Sequence, residues 1–320
     1  MTRKSLHKHL MKLRWYARII KFLKTTRLNK RRTTLYNAVV IFLDSVLDSR
    51  LLTMASGVAF SFTLAIFPSI IFIFTLIPYI HSVLPHIDAN SIMNFMSNVM
   101  PENMFKAATD TIEDIVSNKR EGLLSFGVLF ALILATNGMH SLMSAFNSIY
   151  KTVDRRSFLK TRLIATALTL MMASVLFISI FLLVVGKTFL AELSHSGFFG
   201  EKYIYYLVVM LKYGVIGTSF FIAISLIYYF APAIKDRWTF FSAGTVFSAV
   251  SCVLVSYAFS FYINNFSTYN KFYGSLGMLI ALMIWLYLLS IILLVGFEYN
   301  ASVDRAVHSD KIEVTTSVFE

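Results

Sequence analysis

Long stretches of the chain consist almost entirely of apolar residues, and each is long enough to cross a bilayer as a helix. They cover about 52–80, 123–149, 163–186, 204–230, 240–263 and 277–300. The hydrocarbon core of a membrane requires ~20 apolar residues in a helix. The pattern therefore predicts an all-α polytopic membrane protein, with a six-span domain over 52–301, a basic N-terminal segment over 1–51 and a tail over 302–320.

Shorter segments place apolar residues at helical spacing on a polar background, which predicts amphipathic helices at the membrane surface. Segment 5–24 interleaves leucines with lysines and arginines, and segment 33–50 has one apolar face with Asn37, Asp44 and Asp48 outside it. The loop 81–121 repeats the pattern twice. We expect its two short helices to cap the side of the bundle opposite to both termini.

Polar side chains within the predicted spans are few, and they are the candidates for function. Asn137, Ser141 and Ser144 follow one helical face with His140 beside them, and the last span closes on Glu298 and Asn300. One interpretation is hydrogen bonding between helices, worth roughly 0.6–2 kcal/mol per contact. The other is that these groups line a polar path for an amphiphile or a small solute.

Two further residues interrupt the apolar spans. Pro68 removes a backbone hydrogen bond and clashes with the carbonyl of Leu64, so it predicts either a helix bent for packing or a hinge. Lys212 is a charge within the fourth span, where ionisable residues often serve function. It also lies near enough to the edge of that span to extend its ammonium to the membrane surface.

The positive charge is concentrated on one side of the predicted membrane. The net charge is +12, and thirteen of the 29 basic residues lie in the first fifty. With the N-terminus inside, the inner segments carry 22 basic residues and the outer segments 6. This asymmetry predicts cytoplasmic N- and C-termini and a basic segment that contacts the anionic lipids of the inner leaflet. A nucleic-acid partner is the less favoured interpretation of the same charge.

Motifs for catalysis are missing from the sequence. Cys252 is the single cysteine, and the seven histidines form no HExxH pair. The chain contains neither a GxxxxGK[ST] phosphate loop nor a GxSxG turn. Glu298 is the one carboxylate in the spans, whereas a nuclease would need clustered carboxylates for divalent metal. We expect no catalytic residues, no metal site, no cofactor and no enzymatic activity.

Four segments resemble the YihY/virulence factor BrkB family of bacterial inner-membrane proteins, which once carried the mistaken label ribonuclease BN. They are ASGVAFSFTLAIFPSIIF (55–72), ATNGMHSLMSAFNSIYKTVDRRSFLKTRL (135–163), APAIKDRWTFFSAGTVFSA (231–249) and YGSLGMLIALMIWLYLLSIILLVGFEYNA (273–301). The positions matching the family pattern are Pro68, Asn137, Asn147, Tyr150, Arg156, Gly244, Tyr273, Gly274, Trp285, Gly296, Glu298 and Asn300.

The resemblance implies a six-span protein of the inner membrane that transports or exports a lipid or another envelope component. On this hypothesis Pro68 is the hinge, and the polar path is lined by Asn137, His140, Ser141, Ser144, Glu298 and Asn300. The alternative is a structural or scaffolding membrane protein whose polar groups only join helices. A ribonuclease is the least favoured function. Membrane lipids are the expected partners, and an envelope partner protein and the oligomeric state are left open.

Overall fold

The computed structural model describes residues 18, 21–22, 24–26, 34–46, 49–83, 130–195, 201–234, 238–265 and 275–319. These residues form helices and short connections without a β-strand, which confirms the predicted all-α membrane fold. The helices are α1 (Leu35–Val46), α2 (Ser49–Val83), α3 (Asn137–Ile149), α4 (Phe158–His195), α5 (Glu201–Phe230), α6 (Ala243–Asn265) and α7 (Ser275–Phe319).

Within the described residues, five helices contain segments long and apolar enough to cross a membrane. These segments are Ser49–Ile66, Phe158–Leu190, Tyr203–Phe230, Ala243–Ile263 and Leu279–Val307. The predicted span 123–149 begins outside the described residues, so the number of six spans stays a prediction. The predicted outer caps in 81–121 also lie largely outside them. Helix α7 continues through the tail, which the sequence analysis had treated as a separate segment.

Helices α2 to α7 form a ring in chain order. Each packs against the next along the chain, and α7 returns to pack against α2. The amphipathic helix α1 lies against α7, where Phe42 meets Tyr299 edge to face with ring centroids 5.7 Å apart. We call the end of the ring that carries the α3–α4 connection (150–157) and the α5–α6 connection (231–242) the connection end.

An aromatic core holds the ring together at the connection end. Phe146 of α3 stacks on Phe297 of α7 with centroids 4.1 Å apart, and both side chains are fully buried. Tyr228 of α5 meets both rings edge to face, at 5.6 and 5.8 Å. Offset-stacked and edge-to-face pairs of this kind are the favoured aromatic geometries. Three helices that are distant in sequence therefore share one packed centre.

Helices α6 and α7 cross in direct backbone contact beside this core. A Cβ added at Gly244 would overlap the backbone oxygen of Gly296, and one added at Gly296 would overlap the hydroxyl of Ser248. The close approach lets Tyr228 donate to the Leu293 carbonyl at 2.7 Å while its hydroxyl also pairs with Ser248 at 2.7 Å. Small residues at such crossings are typical of helix packing in membranes.

Farther from the connection end, α4 and α5 turn apolar side chains outward. Phe177, Phe181 and Phe189 of α4 are each more than half exposed, and so is Met210 of α5. A protein that spans a membrane places such faces against lipid. The three tyrosines at 203, 205 and 206 are exposed at the start of α5, where an aromatic belt marks a membrane interface.

We predict that Gly244→Ala destabilises the fold although alanine is the better helix former. The added methyl group meets backbone, which cannot rotate away, so the cost should be about 1–3 kcal/mol. The matched control is Gly217→Ala in α5, where nothing lies within 4 Å of the added Cβ. The control should gain up to about 1 kcal/mol. Unfolding midpoints of the purified variants in detergent measure both, and equal midpoints would contradict the proposed close crossing.

Candidate functional site

Asn147 joins the two connections at the connection end. Its Nδ2 donates to Asp154 Oδ2 at 3.1 Å, and its Oδ1 accepts from the backbone N–H of Ala233 at 2.8 Å. The chain reaches this position because Lys151 adopts a left-handed conformation with φ of 55°, which ends α3 and reverses the chain. Both polar atoms of the Asn147 amide thereby help to fix one connection to the other.

Arg156 and Asp154 form the second part of this joint. The carboxylate of Asp154 accepts from the Arg156 guanidinium at 2.7 and 2.8 Å, and Arg156 Nη2 also donates to the Ala231 carbonyl at 3.1 Å. The hydrogen bond from the Arg156 side chain holds the pKa of the Asp154 carboxyl below its ordinary value, against partial burial, which raises it. Residues 147, 154, 156, 231 and 233 make up what we call the latch.

Tyr150 extends the contacts to the C-terminal part of α7. Its hydroxyl donates to the carboxylate of Asp304, and its ring meets Trp238 edge to face at 5.9 Å. Trp238 in turn lies 5.0 Å from the ring of Phe297 in the aromatic core. The portion of α7 beyond the predicted span is thus part of the packed structure.

Asn300 lies in the α6–α7 crossing and binds the start of α6. Its Oδ1 accepts from the backbone N–H of Gly244 at 2.9 Å, and its Nδ2 donates to Ser242 Oγ at 2.7 Å. Ser242 also accepts from Thr245 N at 3.2 Å, as an N-cap residue does. The predicted path residue Asn300 therefore acts as a bridge between helices.

Glu298 is 3% exposed and is paired within its own helix. Its Oε1 accepts from Ser302 at 2.8 Å and forms an ion pair with Arg305, which reaches back two turns along α7. Two residues along a helix correspond to about 200° of rotation. Glu298 and Asn300 consequently face different sides of α7 and do not meet.

The polar stripe of α3 lies at its interface with α4. Asn137 Oδ1 accepts from Arg162 Nη1 at 2.7 Å, and His140 lies near enough to Arg162 for their charges to interact. Ser141 is half-buried, whereas Ser144 is exposed and donates to the His140 carbonyl at 3.0 Å within its own helix. Of the predicted path residues, Asn137 thus contacts α4, whereas Ser144 bonds its own helix, and Glu298 and Asn300 face different sides of α7.

The remaining candidates are dispersed. Pro68 is half-buried inside α2, which continues past it, and the nearby Ser69 donates to the Ala65 carbonyl at 2.7 Å. Trp285 donates from Nε1 to Ser256 at 3.1 Å between α7 and α6. Tyr273 and Gly274 lie outside the described residues. Among the described residues, no group of three His, Cys, Asp or Glu side chains is placed to hold a metal ion.

Sequence reasoning missed the residues that complete these contacts. Arg305, Asp304, Arg162 and Asp154 were not among the predicted site residues and counted only toward the charge of the chain. The helical spacing of Glu298, Ser302 and Arg305 (i, i+4, i+7) was the available signal for the pair on α7. No local signal pointed from Tyr150 to Asp304, which is 154 positions away.

The comparisons with known proteins agree on the kind of protein. The family model of virulence factor BrkB matches residues 42–315. A protein of Bacillus subtilis (strain 168) described as ribonuclease-like, YfkH, is 33% identical over 248 residues, covering 77% of this chain and 88% of its own length. UPF0761 membrane proteins of Xanthomonas campestris and Tolumonas auensis are 26% and 28% identical over 267 and 182 residues.

Coverage differs among these relatives. The match spans 80% of this chain and 58% of the Xanthomonas campestris protein, and 56% of this chain and 57% of the Tolumonas auensis protein. The chain thus spans little more than half the length of these UPF0761 relatives. No solved structure matches the chain.

We predict a pH-dependent contribution of Asp154 to stability. Because its pKa is lowered in the folded state, the carboxylate stabilises the fold above its unfolded pKa, and this effect disappears as the pH falls through the folded pKa. Asp154→Asn should lower the unfolding midpoint at neutral pH, with a deficit that shrinks below about pH 4. Glu192→Gln, at an exposed site on α4, is the control. A deficit that is constant with pH would refute the role of the charge.

The Glu298–Arg305 pair should respond asymmetrically to mutation. Arg305→Gln leaves a buried carboxylate without its cation, which costs about 3–5 kcal/mol. Glu298→Gln costs less, because the Arg305 side chain is 28% exposed and can bind water. The double variant should recover most of the loss. Unfolding midpoints of the three variants measure this order. A lower midpoint for Glu298→Gln than for Arg305→Gln would contradict it.

Proposed function

The chain belongs to the virulence factor BrkB family, and we propose that this multi-pass membrane protein moves a lipid or another amphiphilic envelope component across the bacterial inner membrane without hydrolysing ATP. The membrane class is common to the family match and the long apolar helices. The transported class of molecule is inferred from the distribution of packing and polar groups described above.

The uneven packing of the bundle is the observation that carries this proposal. The latch, the aromatic core and the α6–α7 crossing are all at the connection end. Farther along, α4 and α5 pack on each other and expose apolar faces, and Leu190 is the one side chain of α4 beyond Leu168 that is buried among the described residues. A rigid connection end and a loosely held α4–α5 pair favour movement of α4 and α5 relative to the other helices of the ring.

The connection end lies at the cytoplasmic surface in this proposal. Lys151, Arg155 and Lys160 are exposed there, and exposed Val153 and Phe158 lie between them in the chain. Basic residues beside exposed apolar ones suit a membrane interface with anionic lipid. The basic N-terminal segment then binds the same leaflet, and both termini are cytoplasmic.

Pro68 is the proposed hinge. It removes one backbone hydrogen bond in α2, the helix that lies between α3 and α7 in the ring. Ser69, Thr63 and Ser61 bond the carbonyls four residues before them rather than that of Leu64. Because Pro68 has no backbone N–H, α2 can bend there with one fewer hydrogen bond to change, as it can at Pro78 farther along the same helix.

A scaffold without transport is the second candidate. Both polar atoms of the Asn147 and Asn300 amides make bridging hydrogen bonds, which favours it, since these amides join helices and connections in the way that structural polar residues do. The polar groups at the α3–α4 interface are less completely used. The two candidates therefore differ most sharply in what they expect of Asn137.

We predict that purified protein reconstituted into vesicles accelerates the passage of a fluorescent phospholipid between leaflets. Asn137→Ala should reduce this rate because it removes a polar group at membrane depth, and Glu298→Gln because it removes a negative charge there. Ser174→Ala, an exposed position on α4 that bonds only its own helix, is the matched control and should keep the wild-type rate. Fluorescence quenching from the outer side measures the rate.

The outcomes separate the candidates. If the phospholipid moves no faster than in empty vesicles, the protein alone does not transfer phospholipid, and the scaffold is favoured. A scaffold also predicts that Asn137→Ala lowers the amount of folded protein in the membrane. If the same preparation cleaves RNA, and a carboxylate variant suppresses that cleavage, the ribonuclease-like description of the Bacillus subtilis protein would apply to this chain as well.

A further inference from the structure

Arg162 has a cationic side chain at the α3–α4 interface that the protein only partly satisfies. Its Nη1 donates to Asn137 Oδ1 at 2.7 Å. Its Nε is shielded from solvent and has no hydrogen-bond partner. No carboxylate among the described residues forms an ion pair with it. Arg162 as a whole is half-buried, but a shielded N–H such as its Nε normally has an acceptor, and an anion would supply one.

Two other arginines near the ends of the spans are paired with carboxylates. Arg156 binds Asp154, and Arg305 binds Glu298. Asp154 lies near enough to influence His140, but its oxygens are taken by Arg156 and Asn147. The positive charge of Arg162 therefore meets an amide oxygen and, at 5.6 Å, the ring of Phe158, but no carboxylate among the described residues.

The groups around Arg162 have the chemistry of an anion site. Asn137 accepts through Oδ1, which leaves its Nδ2 to donate, and His140 provides a ring nitrogen that can donate. The planar guanidinium suits the paired oxygens of a phosphate. On the same turns of α4, Phe158, Leu159 and Leu163 are each at least 65% exposed, as side chains facing acyl chains would be.

We propose that Arg162, Asn137 and His140 bind the phosphate of an anionic lipid headgroup, whose acyl chains lie against the exposed apolar residues at the start of α4. This inference rests on the proposed function in one respect, because it identifies the bound lipid with the class that is moved. Binding itself is independent of movement and is measured separately.

The test is lipid retention by the purified full chain in detergent, followed by native mass spectrometry with phosphatidylglycerol or phosphatidylcholine. Wild-type protein should retain phosphatidylglycerol preferentially. Arg162→Gln should weaken that retention about tenfold, the loss expected for one charge-assisted contact. Lys212→Gln removes one exposed positive charge from α5, away from the connection end, and should change retention less than twofold. Equal losses in the two variants would overturn the site.

Asn137→Asp tests the same site without removing the arginine. The new carboxylate would lie where Oδ1 now accepts from Arg162 and would pair with the guanidinium inside the protein. We expect an unfolding midpoint at or above that of wild type together with a tenfold loss of phosphatidylglycerol. A folded Asn137→Asp protein that keeps wild-type retention would contradict the proposal.

Inorganic phosphate distinguishes a lipid headgroup from a soluble anion. If millimolar phosphate displaces phosphatidylglycerol from the wild-type protein but does not displace the lipid that Arg162→Gln still retains, the site recognises phosphate itself. If phosphate has no effect while the Arg162 dependence holds, the lipid is the ligand. If the protein retains phosphatidylglycerol selectively but moves no lipid in vesicles, the transport proposal is overturned and the binding site is kept. If it moves lipid but its lipid retention does not depend on Arg162, the binding site is overturned and the transport proposal is kept.

Discussion

The close crossing of α6 and α7 is the contact on which the rest of the bundle depends. Because neither Gly244 nor Gly296 carries a side chain, the two backbones approach until Asn300 binds the Gly244 amide at 2.9 Å. The same approach lets Tyr228 reach a backbone carbonyl of α7, and Phe297 then stacks on Phe146. Four helices meet around this point, so a widening of the crossing would disturb contacts on α3, α5 and α7 together.

The polar groups of the bundle differ in whether all their hydrogen-bond partners lie within the protein. In a hydrocarbon environment each unsatisfied polar group is costly, so most of them are used within the structure. Asn147, Asn300 and Glu298 have their partners in the protein, and these partners lie at the connection end. Among the described residues, Arg162 Nε, Ser225 Oγ and Trp238 Nε1 are shielded and have no hydrogen-bond partner, and of these three residues Arg162, at the α3–α4 interface, is the charged one. Chemistry directed at an outside molecule is therefore best sought between α3 and α4.

Particular residues show how far sequence reasoning reached. The apolar runs predicted the spanning helices because hydropathy over ~20 residues is a local property of the chain. The amphipathic pattern of 33–50 likewise corresponds to α1, Leu35–Val46. The stripe at Asn137, Ser141 and Ser144 predicted a polar face of α3, and its role as a path stays a prediction. It did not distinguish Asn137, which binds Arg162, from Ser144, which only bonds its own helix.

The sequence by itself determined that this is an all-α membrane protein of the BrkB family. The apolar runs, which must satisfy their backbone hydrogen bonds internally, and the family motifs are both properties of short stretches of chain. Only the tertiary structure decided which polar residues join helices and which remain partly unused. Asn147 meets Ala233 and Tyr150 meets Asp304 across 86 and 154 positions. Such pairings depend on how the ring closes, and no local pattern in the chain specifies them.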